Sequence, residues 1–152
     1  MFLINHRRRR KRKTDYRKRL GLVRSKKTRV VIRRSLSGML IQFIDYKRDG
    51  DMTLITTVSK ELSKFGWKCP TGSIPAAYLT GFLAGTKAKG TVSEAILDTG
   101  LQRLTKGSRI YSALKGLVDA GVDIKHSPEI FPSDDRIKGS HIAAYAKSLS
   151  PE

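Results

Sequence analysis

Seven consecutive cations, Arg7-Arg8-Arg9-Arg10-Lys11-Arg12-Lys13, are the densest run of chemically committed side chains in this 152-residue chain. Like charges packed so closely repel, and the run has no apolar side chain to bury, so it predicts an arm that orders on an anionic target rather than an independent fold. Release of condensed counterions from a phosphate backbone would drive such binding, with log K falling by roughly 0.7 to 0.9 per neutralised phosphate for each tenfold rise in salt. A solubilising or nuclear-import tail is the plainer alternative. Against it, the excess continues through Arg17, Lys18, Arg19, Arg24, Lys26, Lys27 and Arg29. Between Arg7 and Arg34, sixteen of the chain's thirty-one Lys and Arg residues face one carboxylate, Asp15, so this stretch supplies most of the formal net charge of +18. A polyanion, and a nucleic acid in particular, is the expected partner.

Catalytic chemistry has weaker support. Two-metal phosphodiester cleavage needs clustered carboxylates, for which Asp45, Asp49, Asp51 and Asp98 are the candidates. Asp49 and Asp51, however, flank Gly50 in a turn, where carboxylates are commonly solvated or cap the turn. His6, Cys69, His126 and His141 are scattered without paired-ligand spacing, which argues against a metal site. Cys69 stands before Pro70 with no motif to mark it as a nucleophile. Thr105-Lys106-Gly107-Ser108 lacks the upstream glycine of a nucleotide P-loop and has its glycine after the lysine. What remains there is a set of amides and Lys106 near an anion position at the start of a helix. The residues thus point to binding, with no catalytic residue, metal or cofactor expected.

One cysteine excludes an intramolecular disulfide and fits a reducing compartment, so a cytoplasmic setting is expected. Apolar residues precede the basic run, the reverse of a secretory signal, and no apolar stretch approaches the ~18 residues of a membrane span. The run Arg7 to Lys13 also lacks the apolar face of a membrane-surface helix.

The elements that must position these side chains follow from periodicity. Residues 1–27 read as a basic arm and 28–152 as a single α/β domain, whose size suffices for a core. Thr28 to Arg34 predicts a strand with Arg29 and Arg33 on one face and Val30 and Ile32 on the other. Met39 to Asp45 predicts a second strand, and Arg48-Asp49-Gly50-Asp51 a hairpin leading into a third at Met52 to Val58. An antiparallel three-strand meander results. Ser59 to Phe65 predicts a short helix, and Pro75 opens a longer one in which Ala77, Gly81 and Gly85 recur every four residues. Each interior glycine costs about 1 kcal/mol relative to Ala, so close packing against a neighbour is the expected compensation. Glu94 to Asp98 and Val122 to Ile124 predict further strands. Ser108 is the expected N-cap of a helix with Ile110, Ala113, Leu114, Leu117 and Val118 on one face, ended by Gly121. His126 to Pro132 reads as a loop, and Ile142, Tyr145, Ala146 and Leu149 mark a terminal helix. A meander followed by alternating helices and strands predicts a mixed sheet with helices on its faces.

Several segments, in order, resemble one family: Arg7 to Arg10, Lys13-Thr-Asp-Tyr16, Asp49-Gly-Asp51, Ile74-Pro-Ala-Ala-Tyr-Leu-Thr-Gly81, Asp98-Thr-Gly-Leu101, Thr105-Lys-Gly-Ser-Arg109, Asp119-Ala-Gly121, His126-Ser-Pro128 and His141-Ile-Ala-Ala-Tyr145. The chain is similar over 7–149 to the archaeal branch of the large-subunit ribosomal protein eighteen family, related to the eukaryotic 5S-rRNA-binding ribosomal protein. That resemblance implies a ribonuclease-H-like α/β fold and a non-catalytic role: binding 5S rRNA and attaching it to large-subunit rRNA in the central protuberance. It implies neighbouring ribosomal proteins as further partners, among them the other 5S-binding protein, and no homo-oligomer. The alternative is an RNA-binding or chaperone protein acting outside the ribosome. One departure concerns the arm, since the family commonly has Glu-Gly where this chain has Lys11-Arg12; more charge is gained, and the turn of the arm is expected to differ.

Folded RNA presents shape, phosphates and 2′-hydroxyls, which suits an extended Arg-rich N-terminal arm threading between its helices. Phosphate contacts are therefore expected from Arg7, Arg8, Arg9, Arg10, Lys11, Arg12, Lys13, Arg17, Arg19, Lys26, Lys27, Arg29 and Arg33, with Lys106 and Arg109 as secondary candidates. Tyr16 has two open readings, stacking on a base or ribose and packing within the protein.

Overall fold

The computed structural model describes residues 4–149. Thr28–Arg34 (β1), Met39–Lys47 (β2) and Gly50–Val58 (β3) form the antiparallel meander, with a β-bulge at Phe43/Ile44. The two-residue connection Arg48-Asp49 closes on Gly50, whose φ of 148° favours glycine. Glu94–Asp98 (β4) pairs parallel with β1, and Asp123–Ile124 (β5) parallel with β4, so the sheet runs β3-β2-β1-β4-β5. This is the mixed α/β sheet that the strand and helix alternation predicts.

One face of the sheet presents Val30, Ile32, Met39, Ile41 and Phe43, all buried beneath two helices, Ile74–Ala88 (α3) and Arg109–Asp119 (α4). The α4 stripe Ile110, Ala113, Leu114 and Leu117 closes that core, as its helical spacing requires. Backbones of α3 and α4 meet at the interior glycines. A Cβ on Gly81 would overlap the Ala113 carbonyl oxygen, one on Gly116 the Tyr78 carbonyl oxygen, and one on Gly85 would lie 2.6 Å from Ala120 Cβ. Close approach therefore accounts for glycine in the middle of both helices.

Several local expectations change. Ser59–Phe65 is a 3₁₀ helix, ended by Gly66 at φ 87°; so short a segment gains little from α-helical cooperativity. Ser108 holds the N-cap backbone position of α4, but its Oγ is buried without a partner instead of capping. An unforeseen helix, Asp134–Lys138 (α5), follows Ser133 and ends at Gly139 with φ 80°, ahead of Ser140–Leu149 (α6). Among the described residues no helix is long and apolar enough to cross a membrane.

The largest difference is N-terminal. The stretch expected to be extended is helical over Arg7–Arg10 (α1) and Tyr16–Arg24 (α2). Asp15 explains α2: its Oδ1 accepts from the Arg17 amide at 2.9 Å and the Lys18 amide at 3.2 Å, satisfying two of the free donors of the first turn. The boundary expected at 27/28 falls between α2 and β1, although α2 reaches the second sheet face through its side chains. The ends of that division, 1–3 and 150–152, lie outside the described residues.

Candidate nucleic-acid interface

The second face of β1 carries Arg29, Val31 and Arg33, and β4 places Asp98 beside Val31. Antiparallel pairing of β1 with β2 and of β2 with β3 brings Asp51 to the same area. The result is a row of alternating charge across three strands. Arg29 Nη2 lies 2.7 Å from Asp51 Oδ2 and its Nη1 3.3 Å from Asp98 Oδ2, while Arg33 Nη2 donates to Asp98 Oδ1 at 3.0 Å and its Nη1 to the Asp98 carbonyl at 2.6 Å. Arg19, one helical turn into α2, closes the row on Asp51 Oδ2 at 2.8 Å. Lys18 Nζ donates to the Gly100 carbonyl at 3.3 Å, so α2 is tied to the sheet at two points.

Burial sets the electrostatics of this row. Arg29 is 3 % exposed, with its Nε left without a partner. Burial pushes the Asp98 carboxyl up, but the Arg33 hydrogen bond and charge, the Gly100 amide and the Arg29 charge outweigh it and hold the group below the usual carboxylate range. Asp98 is therefore an anionic acceptor for guanidinium. Asp45, another of the nuclease candidates, accepts from Thr28 Oγ1 at 2.7 Å, and Asp49 sits exposed in the β2–β3 connection. Among the described residues, no three His, Cys, Asp or Glu side chains converge as a set able to hold a metal ion.

The expected RNA-contacting residues thus separate into two groups. Arg29 and Arg33 were expected on a phosphate-binding strand face, but the structure directs them inward to Asp51 and Asp98, because the register of β4 sets a carboxylate between them. Arg19 is shared with Asp51, Lys27 pairs with Glu94, and Lys106 with Glu129 at 3.2 Å. Arg109 donates to the Gly72 carbonyl at 2.8 Å. At the anion position expected at the start of α4, two amides are used within the protein, Gly107 donating to Ile130 O and Ser108 to Thr105 O. Tyr16 packs its ring against His6, with centroids 5.1 Å apart.

The second group is exposed and carries no ion pair among the described residues: Arg7, Arg8, Arg9, Arg10, Lys11, Arg12, Lys13, Arg17 and Lys26, joined by Arg24, which the motif reading left out. Arg8 Nε donates to Thr14 Oγ1 at 2.9 Å, folding the run back toward α2. Arg12 has φ 49°, a left-handed conformation that glycine adopts without strain. The turn between α1 and α2 thus places an arginine in a glycine-like conformation. The arrangement presents a dense array of unneutralised cations on one side of a body that is otherwise nearly balanced.

Comparison with known proteins adds relatives to this geometry. The model of the family described as "Ribosomal large subunit proteins 60S L5, and 50S L18" matches residues 1–95 and 86–127. A large ribosomal subunit protein uL18 of Korarchaeum cryptofilum is 53% identical over 152 residues, which is 99% of this chain and 78% of that protein. The uL18 of Methanococcus maripaludis is 49% identical over 152 residues, covering 99% of this chain and 79% of the relative.

Proposed function

Because the chain belongs to the ribosomal large-subunit family of 60S L5 and 50S L18, we propose that it binds 5S rRNA through its cationic arm and attaches it to large-subunit rRNA in the central protuberance. Family membership makes the protein a structural component of the large ribosomal subunit, with rRNA and other ribosomal proteins around it. The finer assignment rests chiefly on one observation, the exposed cations of α1, α2 and Lys26 that the fold leaves without carboxylate partners.

Arg7 to Lys13, Arg17, Arg24 and Lys26 contact phosphates, while the Arg19–Asp51–Arg29–Asp98–Arg33 row fixes α2 to the sheet and so aims the arm. Phosphate contacts hold position, and selectivity comes from the fit of arm and body to one RNA shape. No bond is made or broken, and the carboxylates act as acceptors for arginine.

Changing Arg8, Arg10 and Arg12 together to Ala tests the assignment in a filter-binding titration with 5S rRNA at several salt concentrations. The expected result is weaker binding and a log K against log salt slope shallower by about 2 to 3. An unchanged slope would remove the arm from the phosphate contacts. Competition at about 0.15 M salt by excess tRNA, of similar charge density, checks selectivity: poor competition supports a shape-specific 5S site, and equal competition refutes it for the isolated protein.

A further inference from the structure

On the helix-covered side of the sheet, the Ser59–Phe65 turn and α3 enclose an open groove of about 420 Å³. It is lined by Leu62, Phe65, Trp67, Leu79, Phe82 and Leu83. Phe65 is 71% exposed, Phe82 42% and Leu79 36%, so aromatic and branched side chains face water together instead of closing on the core. Contiguous apolar surface of this kind, rich in aromatics, marks interaction sites.

The chemistry of the surroundings selects the occupant. Exposed Lys64 and Lys68 flank the lining residues Phe65 and Trp67 in the chain, and the nearby carboxylate Glu61 is taken up by Lys87. Exposed lysines next in sequence to the residues of an apolar floor complement apolar side chains bordered by carboxylates. RNA is a poor match, because the floor offers no cation, and apart from Thr86 its one hydrogen-bonding side-chain group, the Trp67 indole N–H, is buried out of reach of phosphates or base edges. A second copy is disfavoured by mutual repulsion of chains carrying +18 each. The cationic arm, by contrast, lies with α2 over the opposite sheet face.

We propose that this groove docks a segment of a neighbouring large-subunit ribosomal protein that presents apolar side chains flanked by Asp and Glu. The protein would then work as a two-sided adaptor, RNA on the arm side and an acidic, apolar peptide segment on the α3 side. The proposal rests on membership of the large subunit and not on which RNA the arm holds.

The test places the photo-reactive residue p-benzoylphenylalanine at Phe82 in full-length protein assembled into large subunits, with cosedimentation confirming incorporation. Irradiation is expected to give an adduct with another ribosomal protein, mapped to an apolar segment bordered by acidic residues. The adduct should fall at least fivefold when Lys64→Glu and Lys68→Glu are introduced together, changes on exposed side chains that leave the core intact. Cross-linking to rRNA, to a second copy, to this chain's own α6 or to a basic segment overturns the proposal. So does an incorporated protein that yields no adduct, or an adduct indifferent to the two lysine changes. The same photo-reactive residue at Arg10 reports separately on the arm: the absence of any rRNA adduct there would defeat the arm's assignment to RNA and leave the groove result standing.

Discussion

Asp98→Asn removes one charge from the centre of the ion-pair row at almost constant volume. In the native protein the Asp98 side chain accepts from Arg33 Nη2 at 3.0 Å, Arg29 Nη1 at 3.3 Å and the Gly100 amide at 2.8 Å, with the residue 7% exposed. Breaking a buried pair by deleting one partner costs about 3 to 5 kcal/mol. Three features lower that here. Arg29 keeps Asp51 at 2.7 Å, Arg33 is 36% exposed and rehydrates, and the Asn oxygen still accepts from Gly100. A loss of about 2 to 3 kcal/mol is therefore expected at pH 7, which for a slope of about 2 kcal/mol per molar displaces the urea midpoint by about 1 to 1.5 M. The pH dependence has a definite sign. A carboxyl whose pKa is lowered by folding stabilises the fold above its unfolded value, near 3.9, and loses that contribution as pH falls through the lower folded value. The gap between wild type and Asp98→Asn should therefore be full at pH 7 and narrow below about pH 4. Equal midpoints at pH 7, or a gap of constant size down to pH 2.5, would refute the reasoning.

Four further outcomes are expected. Gly81→Ala drives a methyl into the Ala113 carbonyl and should cost about 3 kcal/mol as the helices are forced apart, seen as a Tm drop of about 6 to 12 °C. Gly21→Ala, in the open on α2, should instead raise stability by up to about 1 kcal/mol, measured as increased helicity by circular dichroism. Arg12→Gly relieves a left-handed arginine at φ 49°, worth about 1 kcal/mol to the arm's turn, while removing one of the proposed phosphate contacts; the salt slope for 5S rRNA should become shallower by about 0.7 to 0.9. Arg19→Ala should speed amide exchange in α2 while leaving β1 and β2 protected, because it removes one of the two side-chain ties between α2 and the sheet.

How much of this was legible beforehand depends on the range of each interaction. The meander, the α4 stripe and the four-residue spacing of Ala77, Gly81 and Gly85 are local patterns, and each appears in the structure where periodicity put it. The α2 helix was also local: Asp15 ahead of Tyr16-Arg17-Lys18 is an N-cap signal that the surrounding charge obscured. Ser108 failed in the opposite direction, as a residue of the right type whose hydroxyl is buried away from the amides it would cap.

By itself, then, the sequence determined where charge accumulates, which strands and helices form, and which family the chain resembles, since composition and short-range periodicity carry all three. Only the tertiary structure decided which cations are free. Arg29 and Asp98 lie 69 residues apart and meet because parallel pairing of β4 with β1 puts the carboxylate beside Val31, between two arginines. No spacing along the chain encodes that register. The same holds for the apolar groove, whose walls come from a 3₁₀ turn and a helix that each look ordinary alone. Burial then makes the difference physical: a guanidinium matched inside the fold is held by a low-dielectric ion pair, whereas one left on α1 keeps its charge exposed to water.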